Sequence, residues 1–109
     1  MSIEKVREYL KKYDADNRIL EFDSSSATVE LAAVAVGCEP ARIAKTLSFD
    51  VNGKCVLIVA AGDTKIDNSK YKAQFHTKAK MLSFDEVEEK TGHRVGGVSP
   101  FAVNPGVEI

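Results

Sequence analysis

The sequence predicts a mixed α/β fold: one domain with a central mixed β-sheet and flanking helices. Three observations carry this. Helix caps and glycine stops alternate along the chain with short apolar runs, so helices and strands are interspersed. Asn52 and Gly53 stand between two of those runs and mark a hairpin, because both residues readily adopt the positive φ of a tight turn. The 109 residues are 44% hydrophobic and 28% charged, which suits a single soluble core.

Each element follows from local chemistry. Ser2 can cap a first helix whose Ile3, Val6, Leu10 and Tyr13 fall near one stripe, and the turn-forming DADN (14–17) ends it. RILEF (18–22) reads as a short strand. The hydroxyls of SSSATVELAAVAVG (24–37) offer caps for an alanine-rich helix that Gly37 stops. Pro40 starts a brief turn into a strand through ARIAKTLSF (41–49). The unbroken apolar run KCVLIVAAG (54–62) predicts a strand covered on both faces. The next helix begins near Asp67 or Asn68, and KAKMLS (78–83) reads as a short strand. SFDE (83–86) fits a capping box, with the helix running to Gly92. HRVGGVSPFAVNPG (93–106) interleaves turn residues with valines. In NPGVEI, Val107 and Ile109 begin a further strand, either cut short or pairing on a sheet edge.

Composition excludes several classes. The N-terminus is charged from Glu4 onward and lacks the apolar stretch of a signal peptide, and no run approaches the roughly 20 apolar residues of a membrane helix. Cys38 and Cys55 belong to no ligand pattern, which predicts reduced thiols in a cytoplasmic protein. The net charge of −1 rules out bulk attraction to polyanions. Its distribution is uneven: residues 65–80 carry five lysines against Asp67. That segment suits either a solvated lysine-rich helix or a phosphate backbone.

Two constellations could carry chemistry. Strand alternation places Lys45 in line with Ile43, Leu47 and Phe49, an ammonium on an apolar face. Either its stem covers apolar surface while the head escapes past the strand end, or it lines the mouth of a pocket for an anionic or dipolar ligand. In GGVSP, Gly96 and Gly97 let backbone approach a ligand closely, while Pro100 restricts Ser99 and shapes the loop's exit. Such a loop can aim N–H groups, through Val98 and its neighbours, at one carbonyl oxygen; a simple turn or bulge is the alternative. Phosphate-loop, dinucleotide, GxSxG and HExxH motifs are absent. His76 and His93 show no metal-ligand spacing, and no basic cluster flanks either cysteine.

SSATVELAAVAVGCEPARIAKTLSF, VLIVAAGDTKID and TGHRVGGVSPF occur in the order seen in the YbaK/EbsC-type aminoacyl-tRNA deacylases, relatives of the editing domain of bacterial prolyl-tRNA synthetase. The chain resembles that family from about Arg18 to Gly106. The resemblance implies a YbaK-like domain with a pocket in its sheet, and hydrolysis of the ester joining a wrong amino acid to the tRNA 3′ end. It implies Lys45 as the residue most associated with activity, and a loop of Gly96, Gly97, Val98, Ser99 and Pro100 that positions the aminoacyl carbonyl. It implies no metal or organic cofactor. Aminoacylated tRNA is the expected partner, with a synthetase as a further one and no membrane. Some members carry a Tyr-Asp-His-like run where this chain has Phe22, Asp23 and Ser24, so Phe22 is expected as an apolar pocket wall without the polar contacts. Members usually continue past the NPG point. The expectation is therefore a domain over 1–109 lacking its last strands and helix, with an exposed edge through which copies could associate. The alternatives are a tRNA-binding or protein-interaction module without catalysis, and a hydrolase of small non-tRNA esters or amides.

Overall fold

A hairpin organises the molecule. The computed structural model describes residues 3–23 and 26–109. Strands β1 (Ala44–Val51) and β2 (Lys54–Ala61) pair antiparallel, from Val51 opposite Lys54 to Ala44 opposite Ala61. Asn52 (φ 52°) and Gly53 (φ 87°) are both left-handed, as the expected type I′ turn requires. The Gly53 N–H donates to Asp50 Oδ1 at 2.8 Å and ties the turn to β1.

Single bridges widen this two-stranded sheet and make it mixed. Met81 bridges antiparallel to Phe49 on the outer edge of β1, and Glu108 bridges parallel to Val56 on the outer edge of β2. The strand expected over 78–83 reduces to the first of these. Asp50 N–H donates to Lys80 O (2.8 Å) and Leu82 N–H to Ser48 O (3.1 Å). Ser83 then caps a helix, so no residues remain to extend the ladder. The terminal segment likewise makes a bridge: Leu57 N–H donates to Glu108 O at 2.7 Å and Glu108 N–H to Cys55 O at 3.0 Å. The strand expected at 18–22 does not form. Asp16–Arg18 is one turn of 3₁₀ helix, and residues 19–23 run on without a ladder. A short apolar run makes a strand only beside a free edge, and Met81 and Glu108 occupy part of both.

The helices follow their caps. Helix α1 spans Ile3–Lys11 and buries Val6; Tyr13 lies beyond its end and is exposed, so the apolar stripe stops short of it. The cap expected from Ser2 lies outside the described residues, as do Ser24 and Ser25. Helix α2 (Val29–Val36) is capped by Thr28, whose hydroxyl accepts the Leu31 N–H, and ends at left-handed Gly37. Pro40–Arg42 forms the expected turn into β1. Helix α3 (Asn68–Phe75) takes Asp67 as its cap, and α4 (Phe84–Thr91) carries the Ser83–Glu86 capping box and stops at Gly92.

Pairing register sorts the sheet's two faces. Phe49 and Val56 share one face, where Phe49 packs on Tyr71 of α3 with ring centroids 5.1 Å apart. On the other, Cys55 and Leu57 join Leu82 and Val87, with Val98, Val103 and Val107 packed around them. Both layers cover the turn end of the hairpin. The expectation that 54–62 is covered on both faces therefore holds for Cys55, Val56 and Leu57 only, and Val59 is 42% exposed. Towards the open end a hollow replaces the core.

Candidate active site

That hollow is a cavity of about 390 Å³ walled by residues 26–29 and 32 around the start of α2, residues 43–46 entering β1, and residues 96–98. It brings Lys45 together with Gly96, Gly97 and Val98. Ser99 and Pro100 follow the loop without lining it, and Phe22, 41% exposed, stands outside the lining.

The cavity accounts for the odd placement of Lys45. Lys45 is half-buried and borders the cavity; strand parity turns its side chain to the Phe49 face, and its ammonium leaves the strand end and donates to two backbone carbonyls, Gly62 O at 3.3 Å and Thr64 O. An ammonium has three N–H donors. Among the described residues the third has no protein acceptor. Carbonyl dipoles thus replace part of the ammonium's hydration where it leaves the strand end.

The clamp depends on two residues that strand alternation did not single out. Gly62 lies so close to the turn before β1 that a Cβ there would stand 2.3 Å from Pro40 O and 2.6 Å from Val29 Cγ1. Only a residue without a side chain lets β2 run on beneath this wall. Thr64 closes the following turn: its N–H and hydroxyl both donate to Ala61 O, at 3.0 and 2.6 Å. The sequence signal was the glycine ending an apolar run in VAAGDT, which reads equally well as a simple strand stop.

Across the cavity, Gly96 (φ 84°) is the third residue of a turn closed by Gly97 N–H donating to Arg94 O at 3.0 Å. Positive φ at that position is what a type II turn asks of glycine. A Cβ at Gly96 would meet nothing within 4 Å, so its requirement is conformational. The expected cluster of N–H groups is therefore incomplete: Gly97 spends its own on the turn. Among the described residues, no protein acceptor takes the N–H of Gly96 or Val98.

His93 supports this loop from beneath. It is 1% exposed, and its Nε2 lies 2.7 Å from Phe101 O, joining the two ends of the segment. A carbonyl only accepts, so Nε2 carries the hydrogen, and Nδ1 is a buried acceptor without a partner among the described residues. Burial pushes the imidazole below its usual pKa, with Lys5 acting in the same direction and the Phe101 bond opposing. His93 is a neutral strut, while His76 is exposed at the C-terminus of α3.

No carboxylate lines the cavity, although Glu30 stands in the first turn of α2. Lys45 contributes a full positive charge, and the first turn of α2 contributes the positive end of a helix dipole. Such a wall suits a ligand that carries or develops negative charge. Among the described residues no three of His, Cys, Asp and Glu gather as a metal site, and no helix is long and apolar enough to cross a membrane.

Fold and site together define a small mixed α/β domain with a cavity bordered by a lysine and a glycine turn. The chain belongs to the aminoacyl-tRNA editing domain family, whose model matches residues 23–109. It is 49% identical over 110 residues to an uncharacterized protein, YwhH, of Bacillus subtilis (strain 168), matching all of this chain and 70% of that protein. It is 29% identical over 83 residues to a proline–tRNA ligase of Lysinibacillus sphaericus (strain C3-41), matching 75% of this chain and 15% of the ligase. Among solved structures, it resembles a putative trans-editing enzyme for prolyl tRNA synthetase (TM-score 0.85, 27% identity), covering 98% of this chain and 70% of that one.

Proposed function

We propose that this domain hydrolyses the ester between a misloaded amino acid and the 3′ end of tRNA, acting in trans on aminoacyl-tRNA. The observation that carries this is the meeting of Lys45 with Gly96, Gly97 and Val98 around one cavity. The aminoacyl carbonyl lies against the N–H groups of Gly96 and Val98, and Lys45 stabilises negative charge on the tetrahedral intermediate. Water, or a neighbouring group of the substrate, attacks the carbonyl carbon. For water, a C–O bond forms, the ester C–O bond breaks, and the departing 3′ oxygen takes a proton. Lys45 acts electrostatically and in positioning. Its nitrogen is held in place by the carbonyls of Gly62 and Thr64. The domain is taken to span 1–109, which covers 70% of the length of YwhH and 70% of the trans-editing structure.

The clamp also favours a second reading. A lysine tied to two carbonyls could serve purely as a structural tether in a tRNA-binding module that does not turn over substrate. Deacylation of a panel of mischarged tRNAs separates the two. Catalysis predicts turnover on at least one, falling by two orders of magnitude or more in Lys45→Ala while the variant still folds. Binding of uncharged tRNA with no turnover on any member, or full turnover by Lys45→Ala, defeats the catalytic reading.

A further inference from the structure

The lysine-rich segment after β2 does not line the cavity, yet it begins beside the carbonyl that holds the Lys45 ammonium. Thr64, whose carbonyl holds the Lys45 ammonium, is followed directly by Lys65. Four residues on, α3 starts, and Asn68, Ser69 and Lys72 of its first turns meet Lys78 and Ala79 around a notch of about 400 Å³. Residues 68, 69 and 72 share one flank of the helix by their spacing. Lys70 falls on the opposite flank, and Tyr71 faces inward. Lys65, Lys72 and Lys78 are exposed, and among the described residues none pairs with a carboxylate. Lys80 differs: it lies 3.7 Å from Asp50. Asp67 occupies the helix end itself by accepting the Lys70 N–H, so an anion here would be held by side chains in the notch and not by the helix terminus.

We infer that Lys65, Lys72 and Lys78 form a track for the phosphate backbone of the nucleic acid whose 3′ end enters the cavity, with the notch as its main phosphate seat. The inference rests on the tRNA substrate proposed above. Four residues of chain span at most about 14 Å, and a stacked strand rises about 3.4 Å per nucleotide. The notch thus lies within about four nucleotides of the Lys45 clamp, close enough for one acceptor strand to occupy both. Asn68 and Ser69 add neutral donors to the same lining, of the kinds that phosphate contacts use beside Lys and Arg.

The test measures binding of a purified uncharged tRNA against salt concentration. Each phosphate contact contributes roughly 0.7–0.9 to the slope of log K against log salt. Lys72→Ala combined with Lys78→Ala is expected to lower that slope by about 1.5 and to weaken binding at least tenfold. Lys70→Ala, one charge on the other flank, is expected to leave the slope at the wild-type value. Equal losses per charge removed at Lys70 and in the notch would show diffuse attraction and overturn the track; so would no measurable tRNA binding. Turnover on mischarged tRNA is read separately. A notch effect without any turnover supports the track and sinks the deacylase reading; turnover with no notch effect does the reverse.

Discussion

The clamp on Lys45 stands or falls with the missing side chain at position 62. Replacing Gly62 by alanine places a methyl carbon 2.3 Å from Pro40 O, 2.6 Å from Val29 Cγ1 and 3.1 Å from Ile43 O. Ordinary contact begins near 3.4 Å, so the segment carrying Gly62 and the turn at Pro40 must part by about 1.1 Å, the difference between 3.4 and 2.3 Å. The 3.3 Å contact from Lys45 Nζ to Gly62 O cannot survive such a shift unless the lysine follows. Overpacking of this kind costs about 1–3 kcal/mol. At roughly 4–8 °C per kcal/mol for a domain near this size, a cost of about 2 kcal/mol lowers Tm by about 8–16 °C. A misplacement of about 1 Å in a positioned group can cost on the order of 100-fold in rate. Gly62→Ala is therefore expected to melt early and, assayed well below its own Tm, to deacylate about 100-fold more slowly, with the loss mainly in kcat. Trimming the neighbour as well, in Gly62→Ala with Val29→Ala, relieves the contact with Val29 but leaves the backbone oxygen of Pro40 in place, so recovery is partial. A Gly62→Ala protein with wild-type Tm and full turnover would show that these segments move apart freely and that the clamp positions nothing.

Two further outcomes follow from buried groups. Because burial depresses the pKa of His93 below the usual 6.5, the unfolded chain binds the extra proton first; the stabilisation is complete above about pH 6.5 and is lost as pH falls through and below it. Melting temperatures between pH 7 and pH 5 should fall more steeply for the wild type than for His93→Gln, which keeps a donor for Phe101 O without titrating; parallel curves would refute the assignment. A disulfide-exchange reagent should label Cys38, half-buried, well before Cys55, which is buried and whose thiol burial pushes to a higher pKa; equal rates in the folded protein would contradict the packing.

What the sequence made legible was local. Asn52 and Gly53 specify their turn through their own φ preferences, and Ser83 with Glu86, Gly37 and Gly92 fix helix ends within one turn of chain. RILEF failed because a short apolar run says nothing about whether a partner edge is free. KAKMLS made only a bridge to β1 because its ladder ends at the next helix cap. Lys45 lay between these cases. Alternation correctly marked it as out of place, but its resolution came from carbonyls 17 and 19 residues away, beyond any local pattern. The 96–100 loop was legible as a bend; that Gly97 spends its N–H within the bend depends on Arg94, which nothing in GGVSP reveals.

The two ends of the hairpin divide the labour of the molecule. At the turn end, Phe49, Val56 and Leu57 are each no more than 4% exposed, with helices or the C-terminal segment packed around them. At the open end the same ladder continues through Lys45 opposite Ala60, but small residues line the register and no large side chain fills the space between β1 and the 96–98 loop. A core extended to that end would bury the ammonium without water, at a cost carbonyl contacts alone would not offset. Keeping the hollow lets the charge remain near solvent while two backbone dipoles fix its position. Rigid placement and an accessible cation are both conditions for stabilising charge that appears only during reaction. A tether needs the carbonyls but not the hollow; the open cavity beside Lys45 is thus the feature that favours chemistry over scaffolding.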